Sequence, residues 1–411
     1  MKKEVAIIGA GKIGKGYVAD LFNDAGYRII FLCHSLKQAK ALRDQGFYTV
    51  YKYLGSEKEP IEYRIEGFDA FSTAEEFEDS VDALSKVNYA TIQVYPDALP
   101  DIAKLLAETA RKKYREGNTE TLDIIICMNF IGSEKVLKKY VSEILSPEEM
   151  EFFNRYIGMG MALTFRLGAR PLPYMTENDP LCSCVAESPD LPVDRDAFKG
   201  EIPEGVALRP LSKMDERIVY KLWCGNVNHA CMAYLGKTKG YTYISEANED
   251  DEVYFSARRA WKEAEFGFDQ IYTLTDDEKA ETFGSMRGGK NNSHHSRKNQ
   301  RQAVDWLDRI GADPKRKLAR GDRILGPAIS CMKHGRVPFF LAKAAAAGFL
   351  FYNPEDVSAG EIQEYLKENG IEKAVEKYCE LDTEVQEERM LRDLIVDQYH
   401  DLRPEIDSED L

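Results

Sequence analysis

Glu4-Val-Ala-Ile-Ile-Gly9-Ala-Gly11-Lys12-Ile13-Gly14 is the stretch on which the fold turns. An apolar run of strand length ends in Gly-x-Gly-x-x-Gly, and residues 17–25 then read as a helix. In such a strand–turn–helix context the first glycine permits a tight turn. The second lets the backbone approach a pyrophosphate, and the third allows close helix–strand packing. The helix start supplies free N–H groups and the positive end of its dipole. Gly9, Gly11, Lys12, Ile13 and Gly14 are therefore candidate cofactor-binding residues. A glycine-rich turn without a ligand is the alternative, and the context weighs against it.

Working outward, a second strand over 28–32 runs into Cys33-His34-Ser35-Leu-Lys37. A unit specific for NAD ends this strand on Asp or Glu, which holds the ribose hydroxyls. Here no acid is present, while a hydroxyl, an imidazole and a lysine suit a 2′-phosphate. The cofactor expected is NAD or NADP, with NADP suspected, and Cys33, His34 and Ser35 are placed beside it. Apolar runs at Phe47–Tyr53, 89–95 and 123–128 alternate with helical stretches, of which 102–114 and 135–145 are the clearest. Such alternation argues for a parallel, doubly wound sheet, whose ligands lie beyond the carboxyl ends of the strands. Thr91 and Val94 are then expected to line the cofactor. Asn129, closing an apolar strand on an amide, either caps the next segment or serves the substrate.

Residues 157–187 read as loops and short strands, with Arg166 and Arg170 as their basic groups, and the turn-rich Ser188-Pro-Asp-Leu-Pro marks a boundary. The expected organisation is an α/β Rossmann-type domain over 1–190 and a mostly α-helical domain over 191–411. The second domain carries Lys221-Leu-Trp-Cys-Gly-Asn226-Val-Asn-His229 inside a predicted helix over 216–235. At about 100° per residue, Lys221, Gly225 and His229 fall within about 80° of one another, with Asn226 about 60° beyond His229. The opposite face carries Trp223, Val227 and Ala230. Glycine and asparagine stabilise a helix interior poorly, so another demand selects them. A lysine among amide donors can take a proton from an alcohol while a carbonyl oxygen is held. A solvated face with a satisfied histidine is the bland alternative. Lys315-Arg316-Lys317-Leu-Ala-Arg320-Gly-Asp-Arg323 is a concentrated basic stretch. It is either a solvated charge run, the usual case, or a receiver for an anionic substrate group. The polar, basic stretch 284–298 reads as a loop. Its His294-His295 pair has no spaced partners, and no metal site is expected.

The chain has 411 residues and a net charge of −15, which argues against a general nucleic-acid binder but not against a local basic pocket. Several of the eight cysteines lie in or beside apolar runs, as buried reduced thiols do; Cys182-Ser-Cys184 is the one close pair, and its spacing disfavours zinc. With no secretory h-region and no run of about 18 apolar residues, a cytoplasmic protein without a membrane span is expected. No dimerisation stripe is conspicuous, so monomer and dimer both stay open.

Gly9-Ala-Gly-x-Ile-Gly-x-Gly16, Asn178-Asp-Pro-Leu181, the Lys221-x4-Asn226-x2-His229 signature followed by Ala233-Tyr-Leu-Gly236, and Arg316-Lys-Leu-x-x-Gly-Asp-Arg323 keep their order and approximate spacing over most of the chain. Together they resemble the polyol-specific long-chain dehydrogenases of the mannitol dehydrogenase superfamily, in the mannitol-1-phosphate 5-dehydrogenase branch. The resemblance implies a metal-independent dehydrogenase acting on a polyol or sugar phosphate. Lys221 would be the general base, its pKa lowered by partial desolvation and a cationic nicotinamide. Asn226 and Asn129 would hold the reacting oxygen and His229 would orient the substrate. Arg166, Arg316, Lys317 and Arg323 are the candidate substrate-binding cations. The chain departs from the family where Cys33 replaces an aspartate and where Met128-Asn129 replaces an acid–asparagine pair. It departs again at Phe165-Arg166, in place of Asp-Arg, and at Arg297-Lys-Asn-Gln300, in place of Arg-Phe-x-Asn. Cofactor and substrate identity therefore stay open. A hexuronate reductase of the fructuronate or tagaturonate type is one alternative, and a non-catalytic dinucleotide-binding regulator is another.

Overall fold

The structure is a computed structural model that describes residues 3–53, 59–128, 130–165, 168–169, 171–186, 190–284 and 305–403. The stretch 285–298 and the last residues, 404–411, lie outside them. The chain divides into two compact units, Met1–Asp215 and Glu216–Leu411.

In the first unit the apolar runs form strands buried on both faces. β1 (Glu4–Ile8), β2 (Arg28–Cys33), β5 (Asp69–Ser72), β6 (Tyr89–Ile92), β7 (Leu122–Ile126) and β8 (Ile157–Met161) build a parallel sheet in the order β5-β2-β1-β6-β7-β8. Every residue of β6 and β7 is buried, the pattern of a sheet covered on both sides by helices. This is the doubly wound order, and its topological switch point lies between β1 and β6, where ligands of such sheets sit. The glycine loop leaves β1 there, and residues 93–94 leave β6 beside it.

One expected member of the parallel sheet is elsewhere. β3 (Phe47–Tyr53) pairs antiparallel with β4 (Ile61–Glu66) and parallel with β10 (Ser183–Ala186), which in turn pairs with β9 (Gly168–Ala169). Alternation of apolar runs with helices does not reveal which sheet a strand joins, and β3 is the strand misassigned. This second sheet backs the first helix. Tyr48 donates to the Lys15 carbonyl at 2.9 Å, and buried Asp20 takes Lys52 at 2.9 Å as well as the Tyr63 hydroxyl. β11 (Leu191–Asp194) and β12 (Leu208–Leu211) form a parallel pair. Leu191, Val193 and Val206 belong to the same buried cluster as Val5 and Ile7. Their side chains tie 190–211 to the first unit, past the turn-rich stretch where the sequence suggested a boundary.

The second unit is helical. Met214–Tyr220, a π turn at Lys221–Asn226 and Val227–Thr238 run on as one helical stretch. Ile244–Glu249 and Asp251–Asp269 follow, divided where Asp250 accepts the Val253 amide at 2.9 Å as an N-cap. Asp251–Asp269 crosses Leu325–Lys333 closely, since a Cβ on Gly267 would stand 2.6 Å from the Pro327 carbonyl oxygen. Phe339–Leu350, Val357–Cys379 and Gln386–Leu402 complete the bundle. Gly370, at φ 79°, breaks Val357–Cys379 into two helical segments.

Candidate active site

The glycine loop is built by close approaches that side chains would forbid. Gly9 sits at φ +100°, and a Cβ there would meet the Gln93 carbonyl oxygen at 2.5 Å and Val94 Cγ1 at 3.2 Å. A Cβ on Gly14 would meet the Gly9 carbonyl oxygen at 2.1 Å, whereas one on Gly11 would meet nothing within 4 Å. Gly9 and Gly14 thus shape the turn, and Gly11 leaves open space above it. Lys12 is exposed and Ile13 half-buried. From Gly14 to Val18 the helix is a π turn before it becomes α over Ala19–Asp24. Gly16 presses on β10, where a Cβ would meet Val185 Cγ1 at 2.4 Å. Thr91 is fully buried, and its hydroxyl accepts from Gln93 Nε2 at 3.2 Å. Gln93 Nε2 also reaches the Ile8 carbonyl at 3.1 Å, while Gln93 Oε1 is buried with no partner among the described residues. Sequence reasoning did not single out Gln93; its signal was an amide at the end of an otherwise apolar strand. The loop fits a dinucleotide: room beside Gly11 for the pyrophosphate, and an orphaned acceptor on Gln93 for a ligand donor.

At the end of β2, Cys33 is fully buried in the core cluster, and burial pushes its thiol up to about 12. Its side chain offers a ribose nothing. His34 and Ser35 are exposed, and Ser35 opens the helix Leu36–Gln45 without a side-chain capping bond. Ser35, Lys37, Lys40, Asp44 and Glu75 edge an open concavity of about 600 Å³. Gln38 Nε2 donates to the Ala10 carbonyl at 3.0 Å, fixing this helix to the glycine loop. In Asn178-Asp-Pro-Leu181, Asp179 accepts from Gln45 Nε2 at 2.8 Å and the Thr49 amide at 2.6 Å, so that motif is a brace for β3.

In the second unit the π turn changes the geometry expected of Lys221. A π turn closes on the fifth residue, so each residue rotates by roughly 80° instead of about 100°. Asn226 then comes round from about 140° to roughly 40° from Lys221, and His229 falls roughly 20° to the other side of Lys221. One side of the helix carries all three. Trp223 and Val227 are buried on the other. Lys221 is 9% exposed, Asn226 half-buried and His229 exposed.

Burial first, then the Arg323 guanidinium, lowers the Lys221 ammonium to about 8. His229 is also lowered, by desolvation, with Arg323 and Arg309 adding to it and Asp305 opposing. Its ring keeps solvent access, so the protein mass around it, not coverage of its own surface, makes the charged form costly. Trp223 links the two cations. Its indole donates to the Gly321 carbonyl at 3.3 Å, and a Cβ on Gly326 would stand 2.6 Å from its ring. The turn bearing Arg323 is thereby pinned to the turn bearing Lys221.

The basic stretch is a solvated run only in part: Lys315 and Arg316 are exposed, while Lys317 and Arg323 are buried. Lys315 pairs with Glu361 at 2.5 Å and Arg316 with Asp313 at 2.7 Å, while Arg320 holds Glu388 at 2.5 Å. Lys317 donates to the Ile310 carbonyl at 2.7 Å and to that of Ala312, at the end of the helix Leu307–Gly311. Burial lowers it to about 7. Arg323 is 8% exposed and gives only Nε, to Asp322 at 2.6 Å; its two Nη groups take no acceptor among the described residues. The structure thus groups Lys221, Asn226, His229 and Arg323, leaves Arg316 in an exposed pair with Asp313, and commits Lys317 to backbone carbonyls. Asn129 and Arg166 lie outside the described residues, as do Arg170, His294, His295 and residues 297–300. Among the described residues no group of three or more His, Cys, Asp or Glu is placed to hold a metal ion, and no helix is long and apolar enough to cross a membrane.

Comparison with known proteins bears on the two units of the chain. Residues 3–179 match the mannitol dehydrogenase Rossmann domain and residues 213–402 the mannitol dehydrogenase C-terminal domain. The mannitol-1-phosphate 5-dehydrogenase of Anoxybacillus flavithermus is 28% identical over 380 residues, 91% of this chain and 94% of that one. That of Geobacillus stearothermophilus is 28% identical over 375 residues, again 91% and 94%. In fold, the chain is similar to Pseudomonas fluorescens mannitol 2-dehydrogenase, solved as a ternary complex with NAD and D-mannitol, with a TM-score of 0.75 at 15% identity over 98% of this chain and 92% of that one. A D-sorbitol dehydrogenase in substrate-free form gives 0.74 at 13% identity, over 97% and 93%. With a Rossmann sheet carrying a dinucleotide loop, a helical second unit, and both domain matches in sequence order, the chain belongs to the mannitol dehydrogenase family and is an NAD(P)-dependent polyol or sugar dehydrogenase.

Proposed function

We propose that this enzyme interconverts mannitol 1-phosphate, or a closely related sugar-alcohol phosphate, and its keto sugar, with Lys221 as the general base. The observation that carries the proposal is a buried lysine at about 8 beside an arginine whose Nη groups meet no acceptor among the described residues. Near neutral pH a useful fraction of such a lysine is uncharged and able to take the carbinol proton. Asn226 donates its amide to the same oxygen as negative charge develops there, and Asn129 is assigned the same task. His229, neutral, orients a neighbouring hydroxyl. In the reverse direction the protonated Lys221 returns its proton to the nascent alkoxide.

Bound NAD(P)⁺ supplies the acceptor for the hydride leaving the carbinol carbon. The loop at 9–14 would hold its pyrophosphate, with Val94 and Gln93 alongside. His34, Ser35 and Lys37 would meet the adenosine ribose, and with Cys33 buried and no acid in its place NADP is the preferred cofactor. Arg323 lies near enough to Lys221 to depress it, and two like charges in a desolvated place call for an anion. A substrate phosphate meets that demand. A hexuronate carboxylate meets it too, and is the second reading. The eight buried free thiols fit a reducing compartment such as the cytoplasm.

Lys221→Ala should lose nearly all turnover while binding NADPH as the parent does; unchanged turnover would refute the assignment. Mannitol 1-phosphate, mannitol, fructuronate and tagaturonate, each with both cofactors, test the rest. The phosphate ester with NADP(H) should give the highest kcat/KM. A preference for free mannitol would remove the anion argument, and strong preference for NAD(H) would remove the 2′-phosphate argument.

A further inference from the structure

The π turn at Lys221–Asn226 has an apolar neighbour that the chemistry above does not use. A Cβ on Gly225 would stand 3.2 Å from Cε1 and Cζ of Phe283 and 3.7 Å from Lys221 Cγ. The missing side chain of Gly225 therefore brings the tip of the Phe283 ring and the stem of Lys221 to one spot. Phe283 is 2% exposed and ends the helix Asp276–Phe283. That helix is held to the lysine helix by Arg217, one turn before Lys221. The buried guanidinium of Arg217 donates to the Glu278 carbonyl at 2.6 Å, to Thr282 Oγ1 at 3.0 Å and to Glu281 Oε2 at 2.7 Å. Tyr220 packs on the same ring at 5.7 Å between centroids.

We propose that Phe283 is a positioning residue for the reaction: its ring, seated on Gly225 by the Arg217 clamp, keeps water from the Lys221 side chain and so sets the pH at which the amine becomes a base. The proposal rests on Lys221 being the base proposed above. The fixed charges nearby do not replace this wall. Arg217 and Lys279 are paired with Glu281 and Asp269, and Glu263 is held by the amides of Phe340 and Leu341. Arg323 acts on Lys221 directly, but as the smaller cause after burial, and His229 lies further along the same side of the helix. Removing the ring admits water, favours the ammonium and raises the pH at which it loses its proton.

The test is NMR titration of lysine side chains in the isotopically labelled full-length protein, with the Lys221 signal identified by its loss in Lys221→Met. In Phe283→Ala that titration should move up from about 8 toward the ordinary 10.5, and kcat/KM at pH 7 should fall about tenfold per unit of movement. At high pH the activity should recover toward the parent's, which a merely structural defect would not do. Phe283→Leu, which keeps an apolar tip, should restore the parent titration. Where Phe283→Ala does not fold, Phe283→Val should show the same sign with a smaller movement. A folded variant whose Lys221 still titrates near 8 overturns the proposal. A moved titration with an unmoved pH–rate profile supports the wall and removes Lys221 as the base, so the two failures are distinct.

Discussion

At the scale of single residues, the chain separates cations that hold the fold from cations with hydrogen-bonding capacity left over. Lys317 is consumed by two carbonyls at a helix end, where the backbone dipole welcomes it. Among the described residues the Arg323 guanidinium is bonded through Nε alone, and it depresses its neighbours Lys221 and His229. Replacing it with glutamine should have two separable effects. The KM for a phosphorylated substrate should rise by roughly 10- to 100-fold, the value of a charge-assisted bond, while that for an uncharged polyol changes little. The acidic limb of the pH profile should also move upward, because a charge disfavouring the ammonium has gone. A limb that stays in place would show that Arg323 does not act on the base. These roles were not legible in Lys315-Arg-Lys-Leu-x-x-Gly-Asp-Arg323 alone, because the acids that claim Lys315 and Arg320 come from 361 and 388 respectively, far along the chain.

At the scale of elements, both π turns fall on stretches that sequence reading had marked for other reasons, the start of the cofactor helix and the lysine helix. Single-turn π segments recur at functional sites. Here the second has a definite effect: it rotates Asn226 toward Lys221, which a regular α-helix would not do. The glycine loop permits a sharper separation of shape from ligand. Gly14→Ala puts a methyl 2.1 Å from a carbonyl oxygen and should destabilise the first unit by about 1–3 kcal/mol. Gly11→Ala meets nothing and should melt like the parent, yet lose NADPH affinity by tenfold or more as the methyl obstructs the pyrophosphate. Thermal melts with and without NADPH read both. Equal, full stabilisation of parent and Gly11→Ala by the cofactor would place the pyrophosphate elsewhere.

At the scale of the whole molecule, stability should carry a pH signature from Glu263. Its carboxylate is 5% exposed and accepts the amides of Phe340 at 3.0 Å and Leu341 at 2.9 Å, yet burial outweighs those bonds and raises it to about 7. The folded state thus holds this proton more tightly than the unfolded state, whose value is near 4.5. Stability from this group is complete below the unfolded value and is lost as pH rises through about 7, up to roughly 3 kcal/mol over the window. Urea midpoints should therefore fall between pH 5 and pH 8 in the parent, and that fall should shrink in Glu263→Gln. The same slope in the variant would assign it to other groups. Alternating runs and turns cannot foretell such a group, since only the packing of Asp251–Asp269 on Phe339–Leu350 buries it.

The class of the molecule is legible in local sequence: an apolar strand meeting Gly9-x-Gly11-x-x-Gly14 implies a doubly wound start, and residue types at 221, 226 and 229 point to a candidate chemistry. Those features are local, carried by backbone constraint and short spacing. Only the tertiary structure decided that β3 leaves the parallel sheet, that 190–211 belong to the first unit, that Cys33 is core, and which basic side chains retain unclaimed donors. Each of those depends on partners distant in sequence, and burial and charge pairing are properties of the neighbours a residue meets.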